Sequence, residues 1–157
     1  SEESCYKAHN IMVYTGQVID DIESFFANHP LTQRKSIEFS VRNLDIEFCA
    51  DIALLSRILC NMLLNALESS KENCTVKLWT EVAKGQVSFC VWNAGEIPAN
   101  VAKRIFQRNF STKNESGRGI GTYSMKLFGE RIMGGKVSFE TSALSGTVFK
   151  LVLPLKN

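Results

Sequence analysis

Residues 111–124 read Ser111-Thr-Lys-Asn-Glu-Ser-Gly-Arg-Gly-Ile-Gly-Thr-Tyr-Ser124, with glycine at the alternate positions 117, 119 and 121. Beyond them Ile120, Tyr123, Leu127, Phe128 and Ile132 recur at helical spacing and form one apolar face. Glycine in a regular element costs about 0.5–1 kcal/mol in conformational entropy, so three at a helix entrance ask for a reason. Alternate glycines let the backbone come close to a ligand. The helix behind them offers unpaired N–H groups and the positive end of its dipole, together an anion site. Arg118 lies between the glycines and Lys113 precedes them, which makes phosphate the natural guest. A turn that merely joins two elements is the plainer alternative. No βαβ unit with an acidic residue on a following strand surrounds the stretch, as a dinucleotide fingerprint requires. The GxxxxGK[ST] frame of a P-loop is also absent.

Outward from this stretch the pattern mixes strands and helices without strict alternation. Downstream, Lys136-Val-Ser-Phe-Glu140 and Gly146-Thr-Val-Phe-Lys-Leu-Val-Leu153 predict a hairpin. Upstream, Pro98-Ala-Asn100 opens a short helix to Phe106, and residues 74–80 and 86–92 form a hairpin around Lys84-Gly85. Asp51 caps a long helix to about Ser70. Residues 36–41 and 44–48 alternate as two strands joined by a turn at Arg42-Asn43, and a helix runs from about Tyr6 to Asn28. The fold expected is α+β: a two-layer sandwich, helices on one side of a mixed, mainly antiparallel sheet.

The chain has 157 residues, 45% hydrophobic and 22% charged, with a net charge of +2. One domain is expected, and the composition excludes a disordered or collagen-like chain. There is no basic excess of the kind that marks nucleic-acid binders, so no nucleic-acid partner is expected. No uninterrupted apolar run approaches the roughly 20 residues that cross a bilayer, and no direct membrane contact is expected. Five scattered cysteines, Cys5, Cys49, Cys60, Cys74 and Cys90, lack metal-like spacing and read as free thiols in a reducing, cytoplasmic setting.

Two further features carry polar chemistry out of apolar surroundings. On a helical wheel with Arg57 at zero, Asn61 falls at about 40°, Asn65 at about 80° and Glu68 at about 20°. Ile58, Met62, Leu55, Ala66 and Leu59 occupy about 100° to 200°, so the asparagines sit one turn apart on the border of the apolar face. Asparagine is a mediocre helix former. The pair is either a solvated polar edge or two amide oxygens held toward one ligand, of the kind Mg²⁺ accepts beside phosphates and water. In Val91-Trp-Asn-Ala-Gly-Glu-Ile-Pro98, Asn93 ends a strand two residues before Gly95. There a side chain can meet the edge of a planar ligand, or simply start a turn.

Taken in order, these elements resemble the ATP-binding catalytic domain of sensor histidine kinases, within the superfamily of type II topoisomerases, mismatch-repair ATPases and heat-shock chaperones. Asn61-Met-Leu-Leu-Asn65-Ala looks like the asparagine box and Val91–Pro98 like the first glycine box, with Asn93, Gly95 and Ile97 in it. Arg104-Ile-Phe-Gln-Arg-Asn-Phe-Ser-Thr-Lys113 resembles the phenylalanine box and lid. Gly117-Arg-Gly-Ile-Gly121 matches the second glycine box, and Gly134-Gly135 with Gly146-Thr147-Val-Phe149 its closing hairpin. The likeness runs over residues 18–154. Residues 1–17 then become a helical lead-in, of the kind that ends a dimerisation helix, and 18–157 the catalytic domain with a Bergerat-type ATP-binding fold.

The resemblance implies ATP and Mg²⁺ as ligands. Asn65 would coordinate the metal and Asn61 would hold phosphate or metal. Gly117, Arg118, Gly119, Ile120, Gly121 and Thr122 would wrap the phosphates. Residues 106–116, from Phe106 to Ser116 and including Lys113, would form a lid, and Thr147 would support the adenine end. Hydrolytic relatives carry a glutamate base at the position of Asn61. An amide cannot take a proton from water, which suits transfer of the γ-phosphoryl to a histidine on a separate dimerisation domain and relay to a response regulator.

Three departures stand out. Asn93 replaces the family's adenine-binding aspartate, which should weaken adenine binding about fivefold. Glu68 and Ser69 stand where a lysine and an aromatic are common. His9 and His29 lack an acceptor-box context, so the acceptor histidine belongs to a domain outside this sequence. A degenerate, non-catalytic interaction module and a serine-phosphorylating relative are the rival expectations. The full-length protein could be soluble or membrane-anchored.

Overall fold

The computed structural model describes residues 7–40, 45–108 and 120–155. Two sheets and four helices follow in the order β1 (Ile11–Tyr14), α1 (Thr15–Phe26), β2 (Ser36–Ser40), β3 (Glu47–Ala50), α2 (Ile52–Ser69), β4 (Thr75–Ala83), β5 (Gln86–Asn93), α3 (Ala99–Ala102), α4 (Ile120–Lys126), β6 (Lys136–Ser142) and β7 (Gly146–Pro154). A 3₁₀ turn at Pro30–Thr32 follows α1, and α4 runs into a π-helical segment, Leu127–Ile132. The main sheet has the order β2-β4-β5-β7-β6. Only β2–β4 is parallel, and the other three pairs are antiparallel. This is the mixed, mainly antiparallel sheet backed by helices that the pattern predicts.

The core is the inner face of that sheet against α1, α2 and α4. Alternation along β4 and β5 delivers Val76, Leu78, Val87, Phe89 and Val91 inward, and β7 adds Leu151 and Leu153. From α2 come Leu55, Ile58, Leu59, Met62, Leu63 and Leu67, all fully buried. By length and composition α2 is apolar enough to cross a membrane. Its apolar side nevertheless lies in this core, so the composition is that of a central helix.

Local chemistry fixes the element ends. Lys84 and Gly85, with φ of 53° and 74°, make the two-residue loop of the β4–β5 hairpin, the primed geometry that matches strand twist. Asp51 is 2% exposed and its Oδ1 accepts from the Leu54 N–H at 3.1 Å, capping α2 as predicted. Its Oδ2 accepts from the backbone N–H of His9 at 2.9 Å, tying the lead-in to the same helix end. Asp51→Ala should therefore lower stability by about 1–2 kcal/mol, with Asp51→Asn keeping most of it, as urea unfolding would show.

The structure corrects the expected elements in two places. Residues 7–14 are not helical: β1 occupies Ile11–Tyr14 and pairs antiparallel with β3, Val13 opposite Phe48. Helix α1 starts only at Thr15, where the carboxylate of Asp45 accepts from the Gly16 N–H at 2.8 Å. Residues 36–41 and 44–48 also do not form a hairpin, because β2 joins the main sheet and β3 the two-stranded one. The turn expected at Arg42-Asn43 lies outside the described residues.

Cys49, Cys60, Cys74 and Cys90 are free thiols. Burial pushes Cys60 up to about 11, and burial with the nearby Glu81 carboxylate pushes Cys90 up to about 12. Both are held neutral in the fold, so their contribution is whole below about pH 9 and is lost as pH rises toward 11 and 12. Melting temperature should fall over that range, less steeply in a Cys60→Ala/Cys90→Ala variant.

Candidate nucleotide site

The predicted residues within the described structure fall into two main groups, one on α2 and at the entrance of α4 and one where β5 and β7 end. The first lies on the edge of α2. Asn61, Asn65 and Glu68 are half-buried, flanking the buried Ile58 and Met62, while Arg57 is exposed. The guanidinium of Arg57 sits over the ring of Phe128, 4.8 Å from its centroid, and α2 packs on α4. The asparagine edge is thereby held beside the helix that follows the glycines. A rigid helix presenting two amides one turn apart is preorganised for a shared oxygen-seeking ligand. Among the described residues no group of three His, Cys, Asp or Glu exists to hold a metal. A cation at this edge would take amide, phosphate and water oxygens.

At the entrance of α4, Gly121 has a helical backbone, and a Cβ built on it would meet no atom within 4 Å. Neither a special φ nor close packing within the described chain requires glycine there. Thr122 is buried beside it. Ile120 begins the helix, whereas Lys113, Gly117, Arg118 and Gly119 lie outside the described residues, with most of the expected lid.

The two ends of that segment are anchored close together. Before it, Phe106 packs edge-on to Phe139 and Phe149, with centroids 5.6 and 6.2 Å away, and carries the Lys126 ammonium 4.8 Å above its ring. Arg108 lies 5.7 Å from the ring of Tyr123. Phe106 thus ties the start of the segment to the β6–β7 hairpin.

The second group lies where β5 and β7 end. Asn93 and Thr147 are register partners, 7% and 2% exposed. The amide of Asn93 donates from Nδ2 to the carbonyl of Ala94 at 2.8 Å, which orients the group and leaves Oδ1 as its acceptor. Gly95 has φ +106°, a conformation that side-chain-bearing residues rarely adopt. Its carbonyl accepts from Thr147 Oγ1 at 2.8 Å. Gly146, with φ +85°, lies so close to β5 that a Cβ would meet the Asn93 carbonyl at 2.5 Å. Ile97, half-buried, donates its N–H to Thr141 Oγ1 at 2.8 Å.

Sequence reading missed two contributors. Thr141 bridges Ile97 and Thr147, and the indole N–H of Trp92 donates to the Ser145 carbonyl at 2.7 Å, securing the β6–β7 turn. The hairpin register that places Thr141 opposite Thr147 was the available signal for the first. A groove of about 250 Å³ lined by Trp79, Ser138, Phe139, Glu140, Val148 and Lys150 contains none of the predicted residues.

Comparison with known proteins agrees with this fold. Residues 50–157 match the family described as histidine kinase-, DNA gyrase B- and HSP90-like ATPases. A probable C4-dicarboxylate sensor kinase of Halalkalibacterium halodurans is 30% identical over 89% of this chain and 24% of its own length. The sensor protein CreC of Escherichia coli is 28% identical over 76% of this chain and 26% of its own. The chain thus spans about a quarter of the length of these relatives. The catalytic domain of the histidine kinase ThkA superposes with a TM-score of 0.83 at 27% identity, covering 94% of this chain and 97% of that one. ThkA in complex with the response regulator TrrA matches with a TM-score of 0.77 at 25% identity, over 93% of this chain and 42% of that one. The chain belongs to the histidine kinase-, DNA gyrase B- and HSP90-like ATPase family, as an ATP-binding catalytic domain of the sensor histidine kinase kind.

Proposed function

We propose that this domain binds Mg²⁺–ATP and presents the γ-phosphoryl to a histidine on a dimerisation domain outside this sequence, for relay to a response regulator in the cytoplasm. The observation that carries the proposal is the pair Asn61 and Asn65 on one half-buried edge of α2, beside α4. An amide at position 61 can hold phosphate or metal but cannot deprotonate water, which leaves a nucleophile that brings its own lone pair. The imidazole nitrogen forms the new P–N bond as the β–γ bridging P–O bond breaks, and its electron pair leaves with ADP.

The chain's own part is positioning and charge. Asn65 and Asn61 hold the triphosphate end, and the backbone at Gly121 and Thr122 lies along the phosphates. Arg118 and Lys113 complete the charge, while Asn93 and Thr147 meet the adenine edge. Asn65 would hold Mg²⁺, which would supply neutralisation of charge on the phosphate oxygens.

Calorimetric titration with ATP, with and without Mg²⁺, tests this reading. Mg²⁺-dependent binding, followed by phosphorylation of an added dimerisation domain, is expected; no heat and no thermal shift at millimolar nucleotide would leave a non-catalytic interaction module. Asn93→Ala should lower ATP affinity by roughly threefold to tenfold, one neutral hydrogen bond, and leave inorganic triphosphate binding unchanged.

A further inference from the structure

The helices α1, α2 and α4 pack on the inner face of the main sheet, and the outer face carries an order of its own. Across β4, β5, β7 and β6 the register aligns its side chains in rows. One row starts at Lys77 on β4, crosses Trp92 and Val148, and ends at Glu140 on β6. A second starts at Glu81, crosses Ser88 and Val152, and ends at Lys136. The four end charges are exposed and the residues between them half-buried. Each row therefore runs from one sign of charge to the other, and the two rows run in opposite senses. Between them Trp79 and Lys150 flank the fully buried Cys90. The Lys150 ammonium lies 3.8 Å from the Glu81 carboxylate, and the Lys77 ammonium 5.1 Å from the centroid of the Trp92 ring.

We propose that this face docks a second copy of the same chain, sheet on sheet, about a two-fold axis that lies in the interface and runs along the strands between β5 and β7. A two-fold contact uses one patch twice, so the patch must complement itself. This axis exchanges the two ends of every row. Lys77 of one copy then meets Glu140 of the other, Glu81 meets Lys136, and Trp92 meets Val148, each contact formed twice. Glu38 of β2, beside Lys77, falls beyond the other copy's edge strand. An axis across the strands would also pair the end charges, but it would set Lys150 against Lys150 at the centre. The charge pattern thus selects both the occupant and the axis. The half-buried Trp92 and Val148 supply apolar contact, while the end charges fix register more than affinity. Four strands of seven to nine residues offer a face of roughly 20 by 25 Å, on the order of 1,000 Å² buried between two copies. That is the low end for a specific interface, so the dimer is weak and concentration-dependent. The asparagine edge of α2 lies on the other side of the sheet and stays clear of the contact. The inference does not depend on ATP binding.

Sedimentation equilibrium of this chain tests the proposal, at about 10 to 500 µM protein and about 50 mM salt, where exposed charges are little screened. The average mass should climb from monomer toward dimer across that range. Lys77→Glu and Glu140→Lys each set like charges against each other twice, and each should weaken dimerisation by about tenfold or more. The double variant Lys77→Glu/Glu140→Lys restores opposite charges and should return to within about threefold of wild type. It does so only about the axis along the strands, because about an axis across them the new carboxylate at position 77 would meet Glu81. All three variants alter exposed side chains away from the nucleotide site, so melting temperature and ATP titration should match wild type. A chain that stays monomeric at the highest concentration, or a dimer indifferent to both single reversals, overturns the proposal. A double variant no better than the single ones overturns the pairing of Lys77 with Glu140 and with it the axis. Failure of wild type to bind ATP would strike the function proposed above and leave this face standing.

Discussion

Replacing Asn65 by alanine is expected to abolish the Mg²⁺-dependent part of ATP affinity, a loss of about 10- to 100-fold, with little change in stability. The size follows from what the side chain does. A preorganised oxygen placed on a rigid helix contributes to holding a cation without reorganisation, and removing one such electrostatic partner costs about 2.7–4 kcal/mol when it acts on developing charge. The ground-state binding effect is smaller, because water can replace a lost amide oxygen on Mg²⁺. The stability effect should stay within about 1 kcal/mol, because Asn65 is half-buried on the margin of α2 and alanine is the better helix former. Calorimetry with and without Mg²⁺ separates the two contributions. Equal losses in both conditions would assign Asn65 to the phosphates, and no loss in either would remove it from the site. Phosphorylation of an added dimerisation domain should fall further than affinity, since charge builds up on the γ-oxygens only during transfer.

Much of this was legible because local chemistry and tertiary structure agree. The cap at Asp51, the Lys84-Gly85 turn and the asparagine edge of α2 are set by residues adjacent in sequence, and all three lie where the pattern puts them. The failures are non-local. Ile11, Met12, Val13 and Tyr14 fit an amphipathic helix in isolation, yet they pair with β3, drawn there by the burial of Val13 against the core. Alternation identified residues 36–41 and 44–48 as strands but carried no information on partners. The parallel pairing of β2 with β4 depends on the α2 crossover between them. The adenine end was named from Asn93 and Thr147, whose closeness only the β5–β7 register shows.

Gly129→Val is expected to destabilise the domain by about 1–3 kcal/mol and to weaken ATP binding with it. Gly129 is the buried residue of the π-helical segment that continues α4. A Cβ there would lie 2.5 Å from Val137 Cγ2 and 3.1 Å from Leu151 Cδ1, with Ile58 Cδ1 at 3.9 Å. At this one point α4, β6, β7 and the asparagine-bearing α2 converge. Replacing glycine within a helix normally gains up to about 1 kcal/mol. Here overpacking costs roughly 1–3 kcal/mol or more, because Val137 and Leu151 are buried in a filled core and have no room to retreat. The clash wins. Its relief requires the π segment to lift from the sheet, which would disturb the Arg57–Phe128 contact and carry the entrance of α4 away from Asn61 and Asn65. Urea unfolding measures the first effect and titration with Mg²⁺–ATP under conditions where the variant is folded measures the second. A variant that loses stability but binds ATP as wild type does would show that the asparagine edge and the glycine entrance are positioned independently of their shared contact.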